Sequence, residues 1–160
     1  MRYYYKSLKY YEIFSEKTNG DWNFSLVEKD LKKPFIKDVT YKLLEDHKEN
    51  PTAYFAFENC EELGLILFAS EWNNSLRIWD ILVKKEYRRD GIGTRLMNEA
   101  KQYAVKKGYR RLVLETQSCN FPAISFYLKY GFEFCGFDLA CYSNSDLKNH
   151  EVRLEFHYLL

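Results

Sequence analysis

The spacing of apolar residues changes period along the chain, and each change marks a different kind of element. Between Thr52 and Val83 the apolar positions come in short blocks, and residues 53–57, 63–70 and 76–83 read as three strands. Glu58-Asn59-Cys60-Glu61-Glu62 reads as a hairpin connection between the first two, and Trp72-Asn73-Asn74-Ser75 as a turn before the third. Links this short predict an antiparallel meander. From Ile92 the period becomes helical: Ile92, Leu96, Met97, Ala100, Tyr103 and Ala104 share one face, and Gly108 stands where a left-handed C-cap belongs. Residues 111–116 read as a strand. Residues 122–130 read as a shorter helix, with Pro122 in its first turn and Gly131 closing it, and 132–137 as another strand. The last segment, Glu151-Val152-Arg153-Leu154-Glu155-Phe156-His157-Tyr158, alternates polar and apolar without a slip and predicts a strand with one buried face.

The first fifty residues are different. They carry Lys-rich and acidic stretches and an Asn19-Gly20-Asp21 turn signal, and they predict a helix over 37–48 that stops before Asn50-Pro51. A meander followed by strand-helix-strand-helix makes a mixed sheet with helices packed on it, an α/β (α+β) domain. The 160 residues suit one such domain, with 52–160 as its core and about 1–50 as an appended lip.

Composition removes several classes. With 46% hydrophobic residues and 14 Tyr and 12 Phe, the chain has ample material for a core, and the excess of half-polar rings suits a half-polar cavity as well as ordinary packing. Charges nearly cancel, 24 Lys and Arg against 23 Asp and Glu, so no field for a nucleic acid is expected. The longest apolar run, residues 63–69, is too short to cross a bilayer, and Met-Arg-Tyr-Tyr-Tyr-Lys has no leader-like apolar core. Cys60, Cys119, Cys135 and Cys141 form no C-x-x-C pair, and His47, His150 and His157 are the only histidines, so no metal site is expected. A cytoplasmic protein with reduced thiols is the expectation. Cys119 has no His near it in sequence and is not expected to be a nucleophile, and His157 falls on the polar phase of the last strand.

The chemistry lies in Val83-Lys84-Lys85-Glu86-Tyr87-Arg88-Arg89-Asp90-Gly91-Ile92-Gly93-Thr94-Arg95-Leu96, where a strand ends, a loop with two glycines turns and a helix begins. Exposed N–H groups at a helix start, at the positive end of its dipole, form an anion site. Gly91 and Gly93 remove side chains where a backbone must approach its ligand, and Arg88, Arg89 and Arg95 add charge. A pyrophosphate is the natural guest, although a lone G-x-G serves equally well for tight packing. No Gly-Lys-Ser/Thr follows and no third Gly appears, so the Walker and dinucleotide patterns both fail.

Arg88-Arg89-Asp90-Gly91-Ile92-Gly93 resembles the acetyl-coenzyme A loop of the GNAT superfamily of N-acetyltransferases: Gln or Arg, two variable positions, Gly, one variable position, Gly or Ala. Asn120-Phe121-Pro122-Ala123-Ile124-Ser125-Phe126-Tyr127-Leu128-Lys129-Tyr130-Gly131-Phe132 is similar to the second signature of that family. Within it, Ile78-Trp79-Asp80-Ile81, Leu114-Glu115-Thr116-Gln117, Gly136-Phe137-Asp138 with Tyr142, and the stretch from Asp21-Trp22 to Lys33-Pro34-Phe35 resemble streptothricin acetyltransferases.

The resemblance implies a mixed, mostly antiparallel twisted sheet, splayed at a cofactor cleft, with helices on both faces. It places the backbone of Ile81, Leu82 and Val83 along the pantetheine arm. The amides of Arg88, Arg89, Asp90, Gly91, Ile92, Gly93 and Thr94 would then lie around the pyrophosphate, and Asn120 on the arm. Tyr127 would stand near the thioether sulfur as general acid. Asp80 and Glu115 would flank the cleft, where each could deprotonate the amine, attract its charge or form an ordinary salt bridge. The implied reaction is direct acetyl transfer, without a metal, to a primary amine of a small molecule, an aminoglycoside-like or streptothricin-type antibiotic accepting on its β-lysine amine. The enzyme would be a monomer or homodimer, with about residues 1–50 helping to shape the acceptor site. A protein or peptide N-acetyltransferase and a non-catalytic acetyl-coenzyme A sensor are the alternatives.

Overall fold

Asn19 and Gly20 both take positive φ, 54° and 94°, and so form the two-residue turn that best matches the twist of a hairpin. They join β1 (Arg2–Thr18) to β2 (Asp21–Thr40), which pair as a two-stranded sheet. The turn is where the sequence predicts it. The helix expected over 37–48 is not: residues 37–40 belong to β2, as the β-branched Thr40 favours, and the rest lies outside the described residues. The computed structural model describes residues 2–40 and 50–160. No helix among them is long and apolar enough to cross a membrane.

Six further strands follow in the sheet order β3-β4-β5-β6-β8-β7. The chain divides into two units, one built on residues 39–114 and one on residues 4–38 with 115–156. The first holds the meander of β3 (Thr52–Glu58), β4 (Glu61–Ser70) and β5 (Ser75–Val83), antiparallel throughout. Asn59 and Cys60, at φ 47° and 67°, make the β3–β4 turn by themselves, so both strands run further than the five-residue link predicts. Leu63 to Ala69 are buried without a break, as a strand covered on both faces requires. Helix α1 (Ile92–Lys107) packs on β3, β4 and β5, and its buried Ile92, Leu96, Met97, Ala100 and Ala104 are the stripe read from the sequence. Tyr103 adds its ring to Phe68 at 5.0 Å, and Gly108 ends the helix at φ 74°.

Two departures from a regular ladder shape the region around the glycine loop. Leu67 pairs with Asp80 and Phe68 with Ile78, so Trp79 is an extra residue that bulges β5. The parallel pairing of β5 with β6 (Arg111–Gln117) runs from Ser75↔Arg111 to Ile78↔Leu114 and stops beside that bulge. At the far end of β5, Gly64 pairs with Val83, and a Cβ there would stand 2.5 Å from the Leu82 carbonyl oxygen. Gly64→Val therefore has to push the β5 backbone away. We expect it to lower unfolding free energy by about 2–4 kcal/mol in urea titrations, the range of a forced backbone or core change.

The second unit contains the hairpin, the end of β6, α2 (Phe121–Tyr130), β7 (Glu133–Asp138), α3 (Asp146–Asn149) and most of β8 (Arg153–Leu159). Its core gathers Ile124, Tyr127, Phe132, Leu154 and Phe156. Phe156 meets Tyr127 at 6.3 Å and Phe134 at 6.0 Å between ring centroids. Gly131 closes α2 at φ 109°, as its position predicts. The hairpin contributes Tyr11, whose N–H donates to the Ser118 carbonyl at 3.0 Å and whose ring stacks on Phe121 at 5.3 Å. The short helix α3 has no counterpart among the elements expected from the sequence. It is organised by buried Asp146, which accepts from Tyr142 N–H at 2.8 Å and Ser143 Oγ at 2.7 Å.

Candidate active site

After Val83 the chain makes one short 3-10 turn, Lys85–Tyr87, and reverses through Arg89 (φ 75°) and Gly91 (φ 78°) into α1. Glu61 tethers the turn by accepting from Tyr87 Oη at 2.9 Å and Lys84 Nζ at 3.1 Å. Arg88 Nε donates to the Val83 carbonyl at 3.0 Å. Gly91 is the N-cap of α1; no side chain caps this end and no acid stands in the first turn. The first helical hydrogen bond is Arg95 N–H to the Gly91 carbonyl at 3.0 Å. Helix geometry leaves the N–H groups of Ile92, Gly93 and Thr94 to point outward at the positive end of the dipole.

Arg88, Arg89 and Arg95 are exposed around these amides, and a Cβ on Gly91 would meet nothing within 4 Å, so the backbone lies open to a ligand. These residues fit a pyrophosphate by charge, donors and clearance. Filling the open space with Gly91→Trp is expected to weaken coenzyme binding at least about tenfold, or about 1.4 kcal/mol, in a calorimetric titration of the folded variant.

Upstream, Ile81, Leu82 and Val83 pair with Ile66, Leu65 and Gly64 of β4. On its other edge the ladder of β5 has already ended at Ile78, which suits an extended, amide-bearing ligand such as pantetheine. Asp80 follows the bulged Trp79, and burial pushes its carboxyl from the usual 3.8 to about 6. That value belongs to a group able to take a proton near neutral pH.

The other candidates lie in the second unit. Asn120 is buried at the start of α2, its Nδ2 donating to Thr116 Oγ1 at 2.9 Å and its carbonyl accepting from Ala123 and Ile124 N–H at 3.1 Å each. Tyr127 packs its ring among Phe126, Phe132 and Phe156. Glu115 forms an ion pair with Arg153 Nε at 2.8 Å, and Arg153 also binds Glu155. Of the roles open to Glu115, the salt bridge is therefore formed. Cys119 is fully buried, 3.4 Å from Tyr5 Oη, and burial pushes its thiol up to about 11, the state of an unreactive thiol. The His150 ring lies against Tyr10 at 4.1 Å, and His47 is outside the described residues. Among the described residues no group of three or more His, Cys, Asp or Glu could hold a metal ion.

The structure thus brings the anion loop, the β5 edge and Asp80 into one unit, and Glu115, Asn120 and Tyr127 into the other. Sequence reasoning missed Arg153 as the partner of Glu115, because nothing local announces a cross-strand pair. It also missed Gln117, whose side chain bonds Tyr5, Lys37 and Glu151.

Comparisons with known proteins identify the family. The acetyltransferase (GNAT) family model matches residues 8–132. Streptothricin acetyltransferase A of Bacillus subtilis is 33% identical over 145 residues, 88% of this chain and 81% of that protein. A Bacillus anthracis structure assigned as a streptothricin acetyltransferase, in complex with acetyl coenzyme A, superposes with a TM-score of 0.82 at 28% identity. It covers 98% of this chain and 89% of its own. An aminoglycoside 6′-N-acetyltransferase with coenzyme A, 16% identical, covers 68% of this chain and 72% of its own at a TM-score of 0.60, and shares the fold alone. The chain belongs to the GNAT acetyltransferase family and is an acyltransferase that uses acetyl-coenzyme A.

Proposed function

We propose that the enzyme acetylates a primary amine of a small cationic molecule, a streptothricin-type antibiotic modified on the amine of its β-lysine arm. The observation that carries this reading is the extent of the likeness: the match to the structure assigned as a streptothricin enzyme takes in 98% of this chain, and so includes the β1–β2 hairpin. Local charge supports it. Although the whole chain carries only +1, residues 115–156 hold six acids (Glu115, Glu133, Asp138, Asp146, Glu151, Glu155) against three bases (Lys129, Lys148, Arg153).

In this reading acetyl-coenzyme A supplies an activated thioester. The chain's own groups manage position and protons. The amides of Ile92, Gly93 and Thr94, with Arg88 and Arg89, hold the pyrophosphate, and the β5 edge at residues 81–83 and Asn120 hold the arm. Asp80 takes or relays the proton of the incoming ammonium, and Tyr127 Oη holds the proton that the departing sulfur takes. Glu115, sharing Arg153 with Glu155, draws the positive acceptor toward a partly desolvated place where attraction exceeds that in water.

The test is thiol release with streptothricin, a peptide with a free N-terminus and propylamine. The reading predicts a kcat/KM for streptothricin at least about tenfold above both, equal to about 1.4 kcal/mol of transition-state binding. A peptide that matched streptothricin would replace it with the protein N-acetyltransferase reading.

A further inference from the structure

Gln117, the last residue of β6, is held from three directions. Its Oε1 accepts from Lys37 Nζ of β2 at 2.8 Å and from Tyr5 Oη of β1 at 3.2 Å. Its Nε2 donates to Glu151 Oε1 at 3.2 Å, just before β8. An ammonium only donates and a carboxylate only accepts, so the amide can lie one way round only. Its two lone pairs meet the hairpin, and its NH2 meets Glu151. Glutamate here would face Glu151 with like charge, lysine would face Lys37, and asparagine is one methylene too short to reach both.

The same residue starts the next element: its backbone carbonyl accepts Asn120 N–H at 2.8 Å, in the turn that opens α2. Two positions back along the strand, and so on the same face, stands Glu115. The side chain of Gln117 thus pins to the hairpin the short stretch from which Glu115 and Asn120 project.

We propose that Gln117 is a positioning residue for acetyl transfer, through which the β1–β2 hairpin braces the end of β6 and the start of α2. The inference rests on the proposed roles of Glu115, Asn120 and Tyr127. Small displacements of such groups are costly, since about 1 Å of misplacement can remove about a hundredfold in rate.

The experiment uses Gln117→Glu alone and together with Glu151→Gln. The single change removes the donor to Glu151 and sets two carboxylates together. The second restores an amide opposite a carboxylate with the polarity reversed, while Lys37 and Tyr5 keep an acceptor. Turnover at saturating substrates, well below the melting temperature of each variant, and hydrogen exchange at the Asn120 amide are both read. The single variant is expected to lose about ten- to a hundredfold in kcat and to exchange Asn120 faster, and the double variant to recover both. If Gln117→Glu does not fold, Gln117→Met, isosteric and uncharged, is expected to show the same loss. Wild-type kcat and exchange in a folded Gln117 variant, or a loss in the folded Gln117→Glu chain that Glu151→Gln leaves unrepaired, would overturn the proposal. If the wild type releases thiol with no amine tested, the functional reading fails instead, and exchange at Asn120 still decides whether Gln117 pins this turn.

Discussion

Tyr127→Phe is expected to lower kcat by about a hundredfold or more while leaving coenzyme affinity within about twofold, since general acid help is typically worth ~10² to 10⁴ in rate. The contrast arises because the substitution spares nearly everything. The ring of Tyr127 is only 7% exposed and packs on Phe126, Phe132 and Phe156, contacts that phenylalanine keeps in full. Its backbone carbonyl still closes α2 by accepting from Gly131 and Phe132 N–H at 3.1 and 3.0 Å. Only the hydroxyl group is lost. Stopped-flow thiol release over the first turnover measures the chemical step before product departure, and a wild-type rate there would remove Tyr127 from the chemistry.

Asp80→Asn is expected to make the protein more stable and far less active. Burial raises the folded-state pKa of Asp80 to about 6, against about 3.8 for a free aspartate, so the folded chain holds this proton more tightly than the unfolded one. That advantage is complete below the unfolded value and is lost as pH rises through about 6. At pH 8 the carboxylate is ionised in both states, and keeping it buried costs stability. Asparagine removes that cost. Melting temperature should therefore rise by a few degrees at pH 8, with the gain shrinking below pH 6 and vanishing near pH 4. Over the same range the activity of the wild type should climb with a limb near pH 6, as Asp80 becomes able to accept a proton, and the variant should lose about a hundredfold or more together with that limb. A variant destabilised at pH 8 would contradict the burial argument, and one with wild-type turnover would contradict the role as base.

The parts legible in the sequence are those whose signals are local. The face of α1, its stop at Gly108 and the closure of α2 at Gly131 come from helical period and left-handed glycines, and the anion loop is contiguous from Arg88 to Thr94. The β1–β2 strands are not legible, although the Asn19-Gly20 turn is. From Ser15 through most of β2 the side chains are exposed on both faces, and where β1 does alternate, at residues 5–8, a buried Ser7 and an exposed Leu8 hide the pattern from the sequence. The Asn59-Cys60 turn is shorter than its sequence suggests because cysteine is not a residue that favours positive φ. In the site, Glu115 is readable as a candidate but its pairing with Arg153 is not. The partners of Gln117 stand 34, 80 and 112 residues away, and only strand register brings them together.

The bare N-terminus of α1 has a consequence for how the enzyme persists in a cell. A serine, threonine or aspartate side chain that caps a helix's first turn is worth about 1 kcal/mol, and α1 has none. In the function proposed above, the phosphates of acetyl-coenzyme A take that place, binding the folded chain and finding nothing to hold in the unfolded one. On that reading, the stability of the folded chain becomes a function of metabolic state. At a coenzyme concentration a hundredfold above Kd the folded form gains about 2.7 kcal/mol, and starvation for acetyl groups and coenzyme withdraws it. The abundance of the enzyme would then track the supply of its own donor, with no regulator needed to couple them.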